Sequence, residues 1–159
     1  MKKKSVYIET TVPSYITARP SSDCSKLLRQ LISQKFWENE RHKYDLYISQ
    51  YVIEECGNGD KEYAKLRLNL IRDIPLLPIT EEIEQLAEEY FKFLKIPEDA
   101  KTDCFHLAIC VANKIDFLMS WNMKHLGQPT YLRVSQFNKK RNLWLPELLT
   151  TDTFMAIME

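Results

Sequence analysis

Four acidic residues in this chain fall where side chains from distant segments can converge. Glu9 closes the apolar run Val6-Tyr7-Ile8, Glu54 and Glu55 are adjacent within Gln50 to Cys56, and Asp103 opens the almost wholly apolar stretch Cys104 to Ala112. A carboxylate at the end of a buried element is costly unless something positive compensates it. A divalent cation is the partner that would gather several at once. Magnesium and manganese take carboxylate, carbonyl and water oxygens, so three or four oxygen groups from scattered elements make a sufficient cradle. An ion held there would polarise a phosphate and activate water, which is the chemistry of phosphodiester hydrolysis.

Each acid also has a plain structural reading. Asp103 suits a helix N-terminus, where the macrodipole favours negative charge, and Glu55 taken alone reads equally well as a solvated helix residue. His106 lies one turn after Asp103 on the same face, either as a buried, hydrogen-bonded histidine or as a partner or base beside the acids. Cysteines 24, 56, 104 and 110 form no CxxC pair. A zinc site from Cys56, Cys104, His106 and His125 would match no closed structural spacing, and Cys104 and Cys110 read as small hydrophobes in a core helix.

Short apolar runs alternate with helical patterns along the chain, which predicts an α/β fold: an α/β/α sandwich around a mainly parallel sheet. The expected strands are Val6 to Glu9, Asp45 to Ile48, Ile74 to Leu77, Asp116 to Ser120 and a stretch near Leu145 to Leu149. Pro75 and Pro78 make the third an edge. Pro13 reads as a turn followed by an irregular stretch to Ser22. The expected helices are Cys24 to Arg41 with Leu28, Leu31 and Ile32 inward, Ser49 to Cys56 capped by Ser49 and ended by Gly57 and Gly59, and Lys61 to Arg72 with Tyr63, Leu66 and Leu70 at helical spacing. Thr80 begins a helix with an apolar stripe at Ile83, Leu86, Ala87, Tyr90 and Leu94, opposite a solvated glutamate face, and Ile96-Pro97 stops it. Ala100 to Lys114 is apolar nearly all round and reads as the central, buried helix. A weaker helix spans Tyr131 to Asn138. A parallel sheet directs the C-terminal ends of its strands to one edge, so Glu9 and the Ser120-Trp121-Asn122 exit can meet there, with Asp103 pointing into the same crevice. Asp116 sits at the opposite end and reads as a strand-start residue.

The 159 residues suit a single domain, residues 1–159, and three glycines with no Pro- or Ser-rich tract offer no linker. Lys plus Arg equals Asp plus Glu at 22 each, so no global field draws the chain to nucleic acid and any such contact needs local patches. Arg19, Lys101, Lys124, His125 and the basic knot Lys139 to Arg141 are the local candidates, with Trp121 and Tyr15 available to stack an unpaired base. No stretch approaches the roughly 20 apolar residues of a membrane span, and Met1 to Lys4 leads straight into a strand, so a cytoplasmic protein with no membrane contact is expected.

Four blocks together carry a resemblance. Tyr7 to Ser14 (YIETTVPS), Ile48 to Glu55 (ISQYVIEE), Asp103 to Ala108 (DCFHLA) and Phe117 to Asn122 (FLMSWN) are similar, in order and spacing, to the four signature regions of PIN-domain proteins. The resemblance implies a five-stranded parallel sheet of order 3-2-1-4-5 and a Mg²⁺- or Mn²⁺-dependent endoribonuclease that leaves a 5′-phosphate on its product. It resembles in particular the VapC-type toxins of type II toxin-antitoxin pairs, whose members often dimerise and are often blocked by an antitoxin. A homodimer and an antitoxin partner follow as expectations. Carried over by resemblance, Glu9, Glu55 and Asp103 are the catalytic and metal-holding acids, with Glu54 as the alternative to Glu55, His106 in support, and Ser120 and Asn122 assisting with the metal. From their own positions, Lys124 and His125 after the Asn122 loop read equally as RNA phosphate contacts or as a surface pair, and Trp121 reads as a packing residue at the strand exit or as a base-stacking platform. Glu replaces the family's usual aspartate at 9, and an amide replaces an acid at 122, so the centre would hold about three negative charges. The rival expectation is a catalytically weak or silent PIN-like module that binds RNA or protein.

Overall fold

A computed structural model describes residues 2–158, apart from the side chain of Met123; Met1 of the basic N-terminal run lies outside the described residues. Strand β1 (Ser5–Ile8) is followed by α1 (Thr11–Thr17), α2 (Cys24–Lys35), β2 (Asp45–Tyr47), α3 (Gln50–Cys56), α4 (Lys61–Ile71), α5 (Glu81–Leu94), α6 (Lys101–Ala112), β3 (Phe117–Met119), α7 (Met123–Leu126), α8 (Gln128–Lys140), β4 (Glu147–Leu149) and α9 (Thr151–Met158). The architecture is α/β: a parallel sheet flanked by helices.

The sheet has four strands in the order β2-β1-β3-β4, not five. The expected third strand is reduced to one parallel bridge, Leu76 to Ile48, beside β2. Its two hydrogen bonds run from Ile48 N to Pro75 O and from Leu77 N to Ile48 O. Prolines at 75 and 78 have no N–H to give, so pairing cannot extend past that point. The register aligns Ile8 of β1 with Met119 of β3, and the Glu9 amide donates to Met119 O at 3.1 Å. Ser120 N donates to Leu149 O at 3.0 Å. Glu9 and Ser120 therefore leave the sheet together at its C-terminal edge.

Helix α6 is the central helix: Cys104, Leu107, Ala108, Ile109, Cys110 and Val111 are all buried, and it packs on α5. Three helices carry side-chain caps that satisfy orphan amides. Asp23 accepts from Lys26 N, Asp60 from Glu62 N and Tyr63 N, and Thr80 from Ile83 N. Helix α5 ends in a left-handed Lys95, followed by Pro97.

Several expectations are corrected. Pro13 lies within α1, in its first turn, where a missing N–H costs nothing. Helix α2 stops at Lys35 and continues as a single wide turn over Phe36–Glu40. Leu28 and Leu31 are 58% and 54% exposed; α2 buries Gln30 and Ser33 instead. Gln30 is held by its amide, which donates to Arg19 O at 2.8 Å and accepts from Ser21 N at 2.9 Å, so it braces the loop before α2. Leu66 of α4 also faces outward. Ser49 precedes α3 but makes no side-chain cap, because its hydroxyl is taken by Tyr7. The weak helix is longer than expected, Gln128–Lys140, and its last turn contains Lys139 and Lys140, where cations complement the helix dipole.

Candidate metal centre

Glu9 follows the central strand and is 3% exposed. Its Oε2 accepts from Thr11 N at 3.0 Å, from the Thr11 hydroxyl and from Ser120 Oγ at 2.7 Å. The longer side chain thus folds back onto the first residue of α1, where three donors fix its position. Its Oε1 has no partner among the described residues. Ser120 Oγ in turn accepts from Asn122 N at 2.9 Å, and Thr11 Oγ1 accepts from Trp121 N at 2.8 Å. The loop after β3 is therefore stitched to the residue after Glu9.

Helix α3 turns Glu55 inward and leaves Glu54 exposed, which separates the two glutamates by placement. Glu55 Oε1 accepts from Thr10 Oγ1 at 2.9 Å and lies 2.7 Å from His106 Nε2. His106 is fully buried. Its Nδ1 lies 2.6 Å from Tyr7 Oη, which lies 2.7 Å from Ser49 Oγ. The hydroxyls can reverse direction, so this chain satisfies His106 whether it is neutral or protonated. Burial disfavours the His106 cation, but the hydrogen bond and charge of Glu55, with Glu9 and Asp103 adding, outweigh that and raise its pKa. Burial likewise pushes Glu55 up, and the bond and charge of His106 more than reverse it, leaving Glu55 lowered. The two shifts describe one ion pair, with a buried imidazole and a carboxylate partly open to solvent.

Asp103 stands in the first turn of α6 at 7% exposed. Both its oxygens accept from Asn122 Nδ2, at 3.1 and 3.0 Å. Burial pushes its carboxyl up to about 7; the charge of His106 opposes the rise, while those of Glu9 and Glu55 add to it. Three carboxylates thus crowd one crevice with a single imidazole to balance them.

The residues present fit a hard divalent cation. One ligand atom each from Glu9, Glu55 and His106 lie within 4.8 Å of one another. Burial is the main cause of the Asp103 rise, and the repulsion from Glu9 and Glu55 that adds to it is the kind a cation removes. His106 is bonded through both ring nitrogens, so the carboxylates are the natural ligands and His106 orients Glu55 from behind. Sequence reasoning missed Thr10, Thr11 and Tyr7, which position the acids. Thr10 and Thr11 directly follow Glu9, which was the available signal; nothing in the pattern marked the strand residue Tyr7 as polar support.

The expected RNA-facing residues separate. Lys124 is exposed and His125 half-buried on α7, beside Asn122. Trp121 is buried: its indole N–H donates to Ser33 Oγ at 2.8 Å and its ring meets Tyr15 edge-on at 5.9 Å. That burial matches the reading of Trp121 as a packing residue at the strand exit. Lys101 is paired with Glu88, and Arg141 with Glu89. Asp116 bridges Ser5 and Lys4 at the opposite sheet edge, as its position implied.

No model of a known protein family matches this chain, and no curated protein matches it. No helix among the described residues is long and apolar enough to cross a membrane.

Proposed function

We propose that this protein is a PIN-like, Mg²⁺- or Mn²⁺-dependent endoribonuclease. One observation carries the reading: ligand atoms of Glu9, Glu55 and His106, from three separate elements, lie within 4.8 Å of one another where β1 leaves the parallel sheet, and the charges of both glutamates reach Asp103, adding to the rise that burial gives its carboxyl. A bound divalent ion would supply Lewis-acid stabilisation of the phosphate and lower the pKa of a coordinated water. The chain's own work is to hold the ligands. Thr11 and Ser120 fix Glu9, His106 and Thr10 fix Glu55, and Asn122 fixes Asp103. The accompanying fold reading is a three-layer α/β/α sandwich of PIN type, with the Leu76 bridge standing where a fifth strand would pair. An antitoxin partner and a homodimer belong to the same proposal.

The test is cleavage of a mixed single-stranded RNA panel with Mn²⁺, Mg²⁺ or EDTA, beside Asp103→Asn. Metal-dependent cutting that the variant loses supports the nuclease. Absence of cutting by folded protein with either metal moves the reading to the second one, a PIN-like binding module. A specific observation favours that alternative: Glu55 already has His106 and Asp103 already has Asn122, so two of the acids are satisfied without an ion.

A further inference from the structure

The geometry points to a phosphate-binding subsite for single-stranded RNA in the cavity between α1 and α4, where the guanidinium groups of Arg19 and Arg67 face Tyr63 and Ser14. The ligand's identity as a polynucleotide rests on the nuclease reading; the cavity and its charge do not. The cavity has a volume of about 430 Å³ and is lined by Ser14, Ala18, Arg19, Asp60, Tyr63 and Arg67.

Neither of its two cations is held in an ion pair with a carboxylate among the described residues. Lys4, Lys43, Lys101 and Arg141 are each neutralised by a carboxylate across an ion pair. Arg19 donates through Nε to Tyr63 Oη, and both its terminal nitrogens have no partner among the described residues. Arg67 donates through Nε to Cys56 O at 3.0 Å and through Nη2 to Asn58 O at 2.5 Å, which locks its plane and leaves Nη1 without a partner among the described residues. The one acid in the lining, Asp60, is engaged in capping α4 through Oδ1. Two guanidinium groups against one carboxylate leave a local positive excess, and the guanidinium fork matches phosphate oxygens. The Ser14 and Tyr63 hydroxyls add polar contacts of the kind that sugar and phosphate take.

Its position relative to the carboxylates makes the pocket relevant to a strand being cut. Ser14 Oγ donates to Thr10 O at 2.8 Å, and Thr10 Oγ1 donates to Glu55 Oε1 at 2.9 Å. Arg67 grips the carbonyl of Cys56, the residue after Glu55. The cavity lining is therefore tied to the acid cluster through Ser14 on α1 and through the Arg67 bond to the end of α3. In a chain with no net charge, a polynucleotide needs such a local cation pair to hold the phosphates flanking the scissile one.

The experiment measures binding of a short labelled unstructured RNA to the full chain in EDTA, and steady-state cleavage in Mn²⁺. The variants are Arg19→Ala, Arg19→Lys and Tyr63→Phe, with Lys92→Ala on α5 as control; Arg67 is left intact because it supports the end of α3. Arg19→Ala is expected to weaken binding and raise KM by about tenfold with little change in kcat, and to reduce the slope of log affinity against log salt by about 0.7, the single-strand value for one phosphate contact. Arg19→Lys recovers part of the affinity. Unchanged affinity and salt slope in Arg19→Ala, or a wild-type chain with no measurable RNA affinity, overturns the subsite. RNA binding that depends on Arg19 in a protein that cuts nothing keeps the subsite and removes the nuclease; metal-dependent cutting with an unchanged KM in Arg19→Ala does the reverse.

Discussion

Replacing Asp103 with asparagine should abolish metal-dependent activity and, in EDTA, stabilise the fold. The carboxyl is moved from 3.8 to about 7, chiefly by burial and further by Glu9 and Glu55. At about 1.4 kcal/mol per pH unit, ionising it in the native state costs up to about 4 kcal/mol. Part of that is returned because Asp103 helps hold the proton on His106, so a net gain of about 2–4 kcal/mol is expected for the variant at pH 8. The sign follows from proton uptake. Between about pH 4 and pH 7 the native state retains a proton that the unfolded chain has released, so wild-type stability falls as pH rises through that window, and the deficit is complete above it. The amide keeps the shape and can still accept from Asn122. Urea or thermal denaturation in EDTA at pH 8 should place the variant about 5–15 °C above the wild type, a gap that closes toward pH 4. Adding Mn²⁺ should reverse the order, because the ion stabilises only the chain that binds it. A variant equal to or less stable than wild type at pH 8 in EDTA would refute the reasoning, since it would mean that the ionised Asp103 carboxylate is not under strain.

Three further outcomes follow from the same geometry. His106→Gln should destabilise the protein by about 1–2 kcal/mol, because it leaves Glu55 without its cation, a cost reduced from the buried-pair value by the carboxylate's 36% exposure. That cost should be largest between the ordinary values of 4.5 for Glu55 and 6.5 for His106, and should shrink as pH rises through the raised pKa of His106, when the pair's contribution is lost; denaturation at pH 6 and pH 9 compares the two. Asn122→Asp replaces a donor to both Asp103 oxygens with a like charge, so it should lower stability by about 1–3 kcal/mol in EDTA yet tighten Mn²⁺ binding in a calorimetric titration. Ser33→Ala, which strips the acceptor from the buried Trp121 indole, should cost about 1–3 kcal/mol with RNA affinity unchanged, a result that separates packing from stacking.

The strands and the acids were legible because their signals are local or periodic. Val6 to Ile8 and Phe117 to Met119 are unbroken apolar runs, and such runs become fully buried parallel strands. Convergence of Glu9 with Ser120 follows from parallelism alone. What escaped was decided by partners distant in sequence. Leu28 and Leu31 fit an apolar stripe, yet α2 presents Gln30 and Ser33 inward because a loop carbonyl and an indole N–H wait for them. Ser49 looked like a cap and became a hydrogen-bond partner of a strand tyrosine. Pro13 looked like a break because proline at a helix N-terminus and proline in a turn read the same in one dimension. The choice between Glu54 and Glu55 needed only the rotation of α3, which one residue's spacing leaves open.

The bonds that build the crevice join residues remote in the chain: Glu9 with Ser120 across 111 positions, Tyr7 with His106 across 99, Thr10 with Glu55 across 45. The bonds from Thr11 to Glu9 and from Asn122 to Ser120 are local, but the links that bring separate elements together must wait for long-range loop closure. During synthesis Glu9 and Glu55 emerge before Asp103, and Ser120 and Asn122 come later still, so the set is complete only once β3 has docked beside β1. Whatever this crevice does is therefore withheld from the nascent chain and appears only when the sheet is complete.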